Sequence, residues 1–376
     1  MTGLEDFACF VPAALPPDPP IQYNLELHDL QDRANRALGR LDAVSLMLPD
    51  PNLFLYSYVR KEAVLSSQIE GTQSSLSDLL LFENKEAPGT PLSDVREVSN
   101  YVAAMNYGLE RLRQDFPLSL RLIKEIHGVL MRNTRGGDKE PGEFRRSQNW
   151  IGGSRPGTAF YVPPPASEVI PALGALEKFL HNDPLATPPL LKTGLAHAQF
   201  ETIHPFLDGN GRVGRLLITF ILCAEGVLTQ PLLYLSLYFK QNRETYYATL
   251  QRIRTDGDWE GWLKFYFAGV EEVSNQASET AKNLLRMFEQ DRARIEKVGK
   301  AAGSALRVYE LLKKRVLLSL PNACAELKMS FPAVSKAVSN LEKLGVVREF
   351  TGKQRNRFFS YDAYLKVLAE GTETKM

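Results

Sequence analysis

The sequence predicts a mainly α-helical protein of two or three domains, and three observations lead there. Apolar side chains recur three and four positions apart through most of the 376 residues, the spacing that gathers them on one face of a helix. β-type composition is confined to two short stretches, 148–162 and 346–361, each interrupted by a turn. A hydrophobic fraction of 44% can cover a substantial core. The composition also excludes several classes. Cys9, Cys223 and Cys324 lie too far apart for a metal or disulfide spacing, which suits a reducing cytoplasm. No apolar run follows a basic start and none is long enough to span a bilayer, so neither a secretory signal nor a membrane partner is expected. The net charge of +1 conceals an asymmetry: residues 300–376 carry 14 Lys/Arg against 7 Asp/Glu, and the remainder 31 against 37. A basic tail is attached to a mildly acidic body.

Five prolines in residues 1–20 disfavour a helix and predict an extended arm. Leu27, Leu30, Ala34, Leu38 and Leu41 predict an amphipathic helix over 24–48. After a proline turn at 48–51, a second helix runs past Tyr58 and Val64 to Ser67 and stops near Gly71. Helices follow from 74, over 95–112 and over 118–131, with a polar loop at 83–91. His127 falls in the apolar stripe of the last of these and reads as a satisfied core histidine. Residues 148–153 and 159–162 flank a Gly/Pro tip and predict a β-hairpin. Two more helices, 166–181 and 188–203, lead into the stretch 204–215. His197 reads as making a structural hydrogen bond.

That stretch is His204-Pro205-Phe206-Leu207-Asp208-Gly209-Asn210-Gly211-Arg212-Val213-Gly214-Arg215. It joins two apolar helices yet holds a histidine, a carboxylate, an amide, three glycines and two arginines, poor material for a core. Glycines at a helix start let main-chain N–H groups approach an anion, so Gly209, Asn210 and Gly211 read as a phosphate cradle. Arg212 and Arg215 offer two guanidinium forks for outer phosphates. Asp208 is a hard oxygen ligand suited to Mg²⁺. His204, with an unperturbed pKa of about 6.5, suits proton removal near neutrality. The set fits a nucleotide–metal complex beside a general base.

The stretch closely resembles the signature of the Fic family, His-Pro-Phe-x-Asp/Glu-Gly-Asn-Gly-Arg-x-x-Arg, at every fixed position. The resemblance implies a Fic-type helical bundle that transfers AMP from ATP to a Tyr, Ser or Thr hydroxyl of a protein substrate. In that scheme His204 deprotonates the acceptor, Asp208 holds Mg²⁺, the Gly209–Gly211 amides stabilise the α-phosphate, and Arg212 and Arg215 grip the pyrophosphate; Val213 and Gly214 belong to the same ATP-binding run. Ser66, Glu70 and Gly71 resemble the family's inhibitory motif Ser/Thr-x-x-x-Glu-Gly/Asn, which implies a carboxylate occupying the Arg215 fork that the γ-phosphate needs. The hairpin resembles the family's flap, with Ile151, Gly152 and Gly153 on its first strand. Alignment by eye puts Tyr246 and Tyr247 at the nucleoside end of the pocket, with plain packing equally open.

Beyond 243, a helix starts at Arg243 and a last body helix after Asp256-Gly257-Asp258. A polar linker helix spans roughly 271–297. Residues 306–314, 322–327 and 331–344 then read as three helices followed by paired strands, a winged helix-turn-helix order. Ser335, Lys336, Ser339, Asn340 and Lys343, with Lys353, Arg355 and Arg357 of the wing, are candidate DNA contacts. The expected division is 1–110 for the arm and inhibitory region, 111–270 for the catalytic core, 271–299 for the linker and 300–376 for the tail domain. Removal of AMP from a modified target, and an ATP-sensing DNA-binding regulator, stand as alternative activities, and a homodimer is possible.

Overall fold

A computed structural model describes residues 7–47, 51–83, 92–352 and 357–372. The expected turn at 48–50, most of the loop at 83–91, and Lys353 and Arg355 lie outside them. The arm from residue 7 to 24 is extended. It is tied down where the Phe10 amide donates to the Val162 carbonyl at 3.1 Å and Gln199 Nε2 donates to the Ala13 carbonyl at 2.7 Å.

Helix α1 (Leu25–Met47) begins where the Asn24 side chain accepts from the Leu27 amide at 2.9 Å, an N-cap bond. Helix α2 (Pro51–Ile69) precedes α3 (Leu76–Glu83), which opens on a reciprocal Ser75–Asp78 pair: Asp78 accepts from the Ser75 amide, and Ser75 Oγ from the Asp78 amide. Then come α4 (Leu92–Arg113), α5 (Leu120–Leu130), α6 (Ala166–Leu180), α7 (Pro189–Ile203) and α8 (Asn210–Ala224). Helices α7 and α8 are buried on nearly every side. They form the centre of the body, with α4, α5, α6 and α2 packed around them. Short α9 (Ser236–Gln241) and α10 (Arg243–Asp256) complete the far side.

The expected hairpin is smaller than its composition suggested. Ile151 and Tyr161 form one antiparallel bridge, and the Ile151 amide donates to the Tyr161 carbonyl at 2.8 Å. Gly152 and Gly153 take positive φ directly after it, and Pro163-Pro164-Pro165 removes the next donors, so no longer ladder forms.

The separate body and linker helices expected near 259–297 are one element, α11 (Trp259–Glu296). Its charged surface read as a linker, but α1 packs along it and it carries Trp262, Phe265 and Tyr266 into the core. The tail is α12 (Ala302–Arg315), β1 (Leu317–Ser319), α13 (Leu320–Leu327), α14 (Phe331–Lys343), β2 (Arg348–Glu349), β3 (Phe358–Ser360) and α15 (Asp362–Ala369). Its sheet has the order β1-β3-β2, antiparallel throughout. Strand β1 and helix α15 were not legible in the sequence. Both are very short, and β1 is apolar on both sides because it is fully covered.

The tail is docked, not suspended. Tyr361 donates to Asp291 of α11 at 2.7 Å, and the Tyr364 and Ser57 hydroxyls bond at 3.0 Å across to α2. Gln68 Nε2 donates to the Thr372 carbonyl at 2.9 Å, and Lys240 Nζ reaches both Gln68 Oε1 at 2.6 Å and the Gly371 carbonyl at 3.2 Å.

Close approach of α4 to α8 requires Gly108, where a Cβ would overlap the ring of Phe220. Gly108→Ala is expected to destabilise the protein by about 1–3 kcal/mol through overpacking, measured as a lower midpoint in denaturant unfolding.

Candidate active site

The site begins where α7 ends. His204 adopts the left-handed conformation (φ 50°, ψ 60°), its amide still bonded to the Phe200 carbonyl at 2.9 Å, so the chain leaves the helix sharply at the histidine. Gly209 turns the chain again at φ 78° into α8. A side chain there would strike Met131 Sδ, 2.8 Å from a Cβ, which explains the glycine by space as well as by φ. As first-turn groups, the amides of Asn210, Gly211 and Arg212 have no intrahelical carbonyl to bond and point out of the helix start.

The loop between the helices is fastened mostly by residues the sequence did not single out. Asn210 stitches it internally: Oδ1 accepts from the Phe206 amide and Nδ2 donates to the Phe206 carbonyl, both at 2.8 Å. Arg145, 2% exposed, donates through Nε to the His204 carbonyl at 3.0 Å and through Nη2 to the Pro164 carbonyl at 2.5 Å; its amide donates to the Pro205 carbonyl at 2.9 Å. Burial lowers its pKa to about 10. Asn149 Nδ2 donates to the Phe206 carbonyl at 2.9 Å and to that of His204 at 3.3 Å. His127 stacks on Phe206 with centroids 3.7 Å apart. It accepts at Nδ1 from the Gly142 amide at 2.8 Å, so the proton is on Nε2, which donates to the Asp208 carbonyl at 3.0 Å. Burial lowers its pKa to about 4, which keeps it neutral.

The charged groups form two clusters. In one, Arg212 lies 3.3 Å from Glu97 and 3.6 Å from Asp208 Oδ1, and Arg135 bridges Glu97 and Asp94 at 3.1 Å each. Asp208 accepts from the Gly209 amide at 2.6 Å, and Lys139 is 3.4 Å from its Oδ2. Its side chain stays about a third exposed, at 36%. In the other, Arg215, only 2% exposed, donates from Nε to Ser66 Oγ at 2.8 Å and from Nη2 to the Ser66 carbonyl at 3.0 Å and to Glu70 Oε1 at 2.6 Å. Burial alone would raise the Glu70 pKa; the Arg215 charge and hydrogen bond hold it below the ordinary carboxylate value. A Cβ on Gly211 would overlap the Glu70 carboxylate, so that carboxylate sits directly against the helix start.

Other residues of the signature serve packing. Val213 is buried and its amide bonds the Gly209 carbonyl at 3.0 Å. The Gly214 carbonyl accepts from His197 Nδ1 at 2.9 Å, and His197 Nε2 accepts from Tyr246 Oη at 3.0 Å. Tyr246, 1% exposed, thus belongs to an aromatic cluster with Phe239 and Trp262, while Tyr247 is half-buried beside it. Ile151, Gly152 and Gly153 lie at the isolated bridge opposite Tyr161, whose hydroxyl donates to the Thr202 carbonyl at 2.7 Å.

The donor set fits a divalent cation only in part. Among the described residues no three His, Cys, Asp or Glu side chains cluster. Asp208 offers one partly exposed carboxylate, the arrangement in which a hard cation takes its other ligands from phosphate oxygens and water.

With this geometry in hand, residues 28–110 match the family model described as Fic/DOC family N-terminal, and residues 117–222 the one described as Fic/DOC family. A protein adenylyltransferase Fic of Aedes aegypti is 30% identical over 309 residues, 74% of this chain and 57% of that protein. One from Drosophila erecta is 29% identical over 200 residues, 52% of this chain and 37% of that protein. The chain therefore spans about half, or less, of the length of these curated relatives. The crystal structure of a Fic family protein from Desulfovibrio desulfuricans superposes over 91% of this chain and 97% of its own, with TM-score 0.61 at 18% identity, a likeness of fold.

Because Asn210 closes the loop by two hydrogen bonds, Asn210→Ala is expected to cost about 1–3 kcal/mol, read as a lower denaturation midpoint. An unchanged midpoint would show that Arg145 and Asn149 suffice.

Proposed function

The chain belongs to the Fic/DOC family, and from that premise we propose that it transfers AMP from ATP to a hydroxyl of a protein substrate and is held in check by Glu70. One observation carries the reading: His204, Asp208, Arg212 and Arg215 converge on the start of α8, and the Arg215 fork is already filled by Glu70 and Ser66.

The acceptor hydroxyl gives its proton to His204 as its oxygen bonds to the α-phosphorus, and the bond from that phosphorus to the pyrophosphate oxygen breaks. The amides of residues 210–212 face the phosphate charge with the favourable end of the helix dipole. Arg212 and Arg215 hold the departing pyrophosphate by bidentate contacts. Asp208 would hold a Mg²⁺ ion, which when bound would supply charge neutralisation. Tyr247 flanks the nucleoside side, and the backbone edge at Ile151–Gly153 registers the substrate segment by strand addition.

Glu70 competes for Arg215 with the outer phosphate, and its position against Gly211 puts a carboxylate where the polyphosphate must lie. Glu70→Gly is therefore expected to raise transfer of label from α-labelled ATP by about 10-fold or more, with self-labelling visible by mass spectrometry. Adding His204→Ala to it should remove at least about 100-fold of that transfer. Transfer that survives the histidine change would rule the mechanism out.

We read the tail as a winged helix-turn-helix module, with Lys336 and Lys343 exposed on α14 as phosphate contacts. Duplex DNA should be retarded by the full chain in a gel at low salt, with affinity falling steeply as salt rises. No retardation at low salt would leave the tail a purely structural module.

A further inference from the structure

The end of α7 holds a second carboxylate that the proposed reaction leaves without a task. Glu201 lies one helical turn before His204, and its Oε2 is 4.0 Å from His204 Nδ1. Both groups are nearly sealed, with side chains 9% and 18% exposed, and neither His204 Nδ1 nor Glu201 Oε1 has a hydrogen-bond partner. Unsatisfied buried polar atoms are costly, and here one oxygen of the carboxylate, Oε2, stands 4.0 Å from the imidazole while the other, Oε1, lies against Gly214 without a partner.

The space for this carboxylate is also specific. A Cβ on Gly214 would overlap Glu201 Oε1, so the glycine of α8 is what lets an acid lie between the two central helices. Isosteric apolar packing would fill the same volume at lower desolvation cost. An acid retained there therefore has work that a hydrocarbon could not do.

We propose that Glu201 is a positioning residue for His204, holding the proton on Nδ1 so that Nε2 is the nitrogen that accepts the substrate proton, and countering the imidazolium charge once it has done so. The inference rests on the reading of His204 as the general base. When His204 gains the acceptor proton on Nε2, the proton on Nδ1 stays in place with the carboxylate near it, and no other bond is made or broken in this step.

The surrounding charges give the carboxylate its effect. Burial, then Arg254 of α10, lower the His204 pKa to about 4, while the Glu201 main-chain carbonyl and Glu70, just past α2, oppose them and Arg145 adds to the lowering. Burial raises the Glu201 pKa to about 7, against the lowering effect of Arg215 and Arg254, with Glu70 raising it further. With Glu70 removed, the imidazolium would face Arg254 and Arg145 with Glu201 as the carboxylate at hand, 4.0 Å from Nδ1.

The test uses the full chain carrying Glu70→Gly, compared with the same chain also carrying Glu201→Gln or Glu201→Ala. Glu201→Ala is expected to lower kcat for AMP transfer by about 100-fold with KM for ATP within about 2-fold. Glu201→Gln, which still accepts from Nδ1–H but carries no charge, is expected to recover part of kcat and to move the acid limb of the kcat/KM profile to lower pH, because losing the anion lowers the histidine pKa further. Identical pH profiles and kcat for the glutamine variant and its parent would overturn the proposal, as would an alanine variant that loses only thermal stability. Nitrogen NMR of labelled His204 reads the tautomer and titration directly, with no need of activity: an Nδ1–H tautomer that survives in Glu201→Ala unchanged would show that the main-chain carbonyl alone orients the ring. If the Glu70→Gly parent transfers nothing, the adenylyl-transfer reading fails, and the NMR comparison still decides the role of Glu201.

Discussion

A single guanidinium, sealed at the start of the central helix, governs the arrangement of this protein. Arg215 keeps its charge although it is almost fully buried, and a buried charge is tolerated only if neighbours supply oxygen. Burial works against its ionisation, and Glu70, Tyr246, Tyr247 and Glu201 together more than offset that effect. Its hydrogen-bond acceptors, Ser66 and Glu70, come from the last turn of α2 and the residue just past it, so the position of α2 is fixed by the electrostatic need of α8. Deeper in the same helix, Glu62 accepts from Tyr101 of α4 at 3.1 Å and from Ser236 at the start of α9 at 2.5 Å. Helix α2 is thereby held on both sides, and the Glu70 carboxylate is delivered to one place.

The loop between α7 and α8 is held in place for a complementary reason. A left-handed histidine and a left-handed glycine leave main-chain carbonyls turned away from both helices. Arg145 and Asn149 take up the His204 carbonyl, Asn149 and Asn210 that of Phe206, and His127 that of Asp208. None of these four touches the acceptor in the proposed reaction. They spend their polar groups on the backbone so that His204 and Asp208 need spend theirs only on the ligand and on each other's surroundings. The site is thus a backbone conformation first and a set of side chains second.

Much of this was legible in the sequence, because the signature concentrates glycines and charges where a core would normally continue, and helical periodicity on either side fixes α7 and α8. Helix limits agreed to within a few residues where caps such as Asn24 and Ser119 mark them. Arg145, Glu97 and Asn149 were not legible: each sits in an ordinary polar context, and only the tertiary fold brings it to the loop from 55 or more residues away. The continuity of α11 was missed because its outer face is as charged as a linker while its inner face meets α1. The hairpin was overestimated because composition signals turn and strand but cannot count how many rungs prolines will permit. Glu201 is hidden for a further reason, since a glutamate in the last turn of a helix is commonplace until its surroundings turn out to be closed.

The docking of Gly371 and Thr372 gives the tail and the last turn of α2 a shared mechanical fate. Gln68, two residues before the carboxylate that fills the Arg215 fork, donates to Thr372, and Lys240 grips Gln68 and Gly371 together. Lifting the last turn away strips an acceptor from each of these side chains at once, within half a helical turn of Glu70. A load applied at Gly371 and Thr372 is therefore borne by α2 through Gln68 and by α9 through Lys240 at the same time.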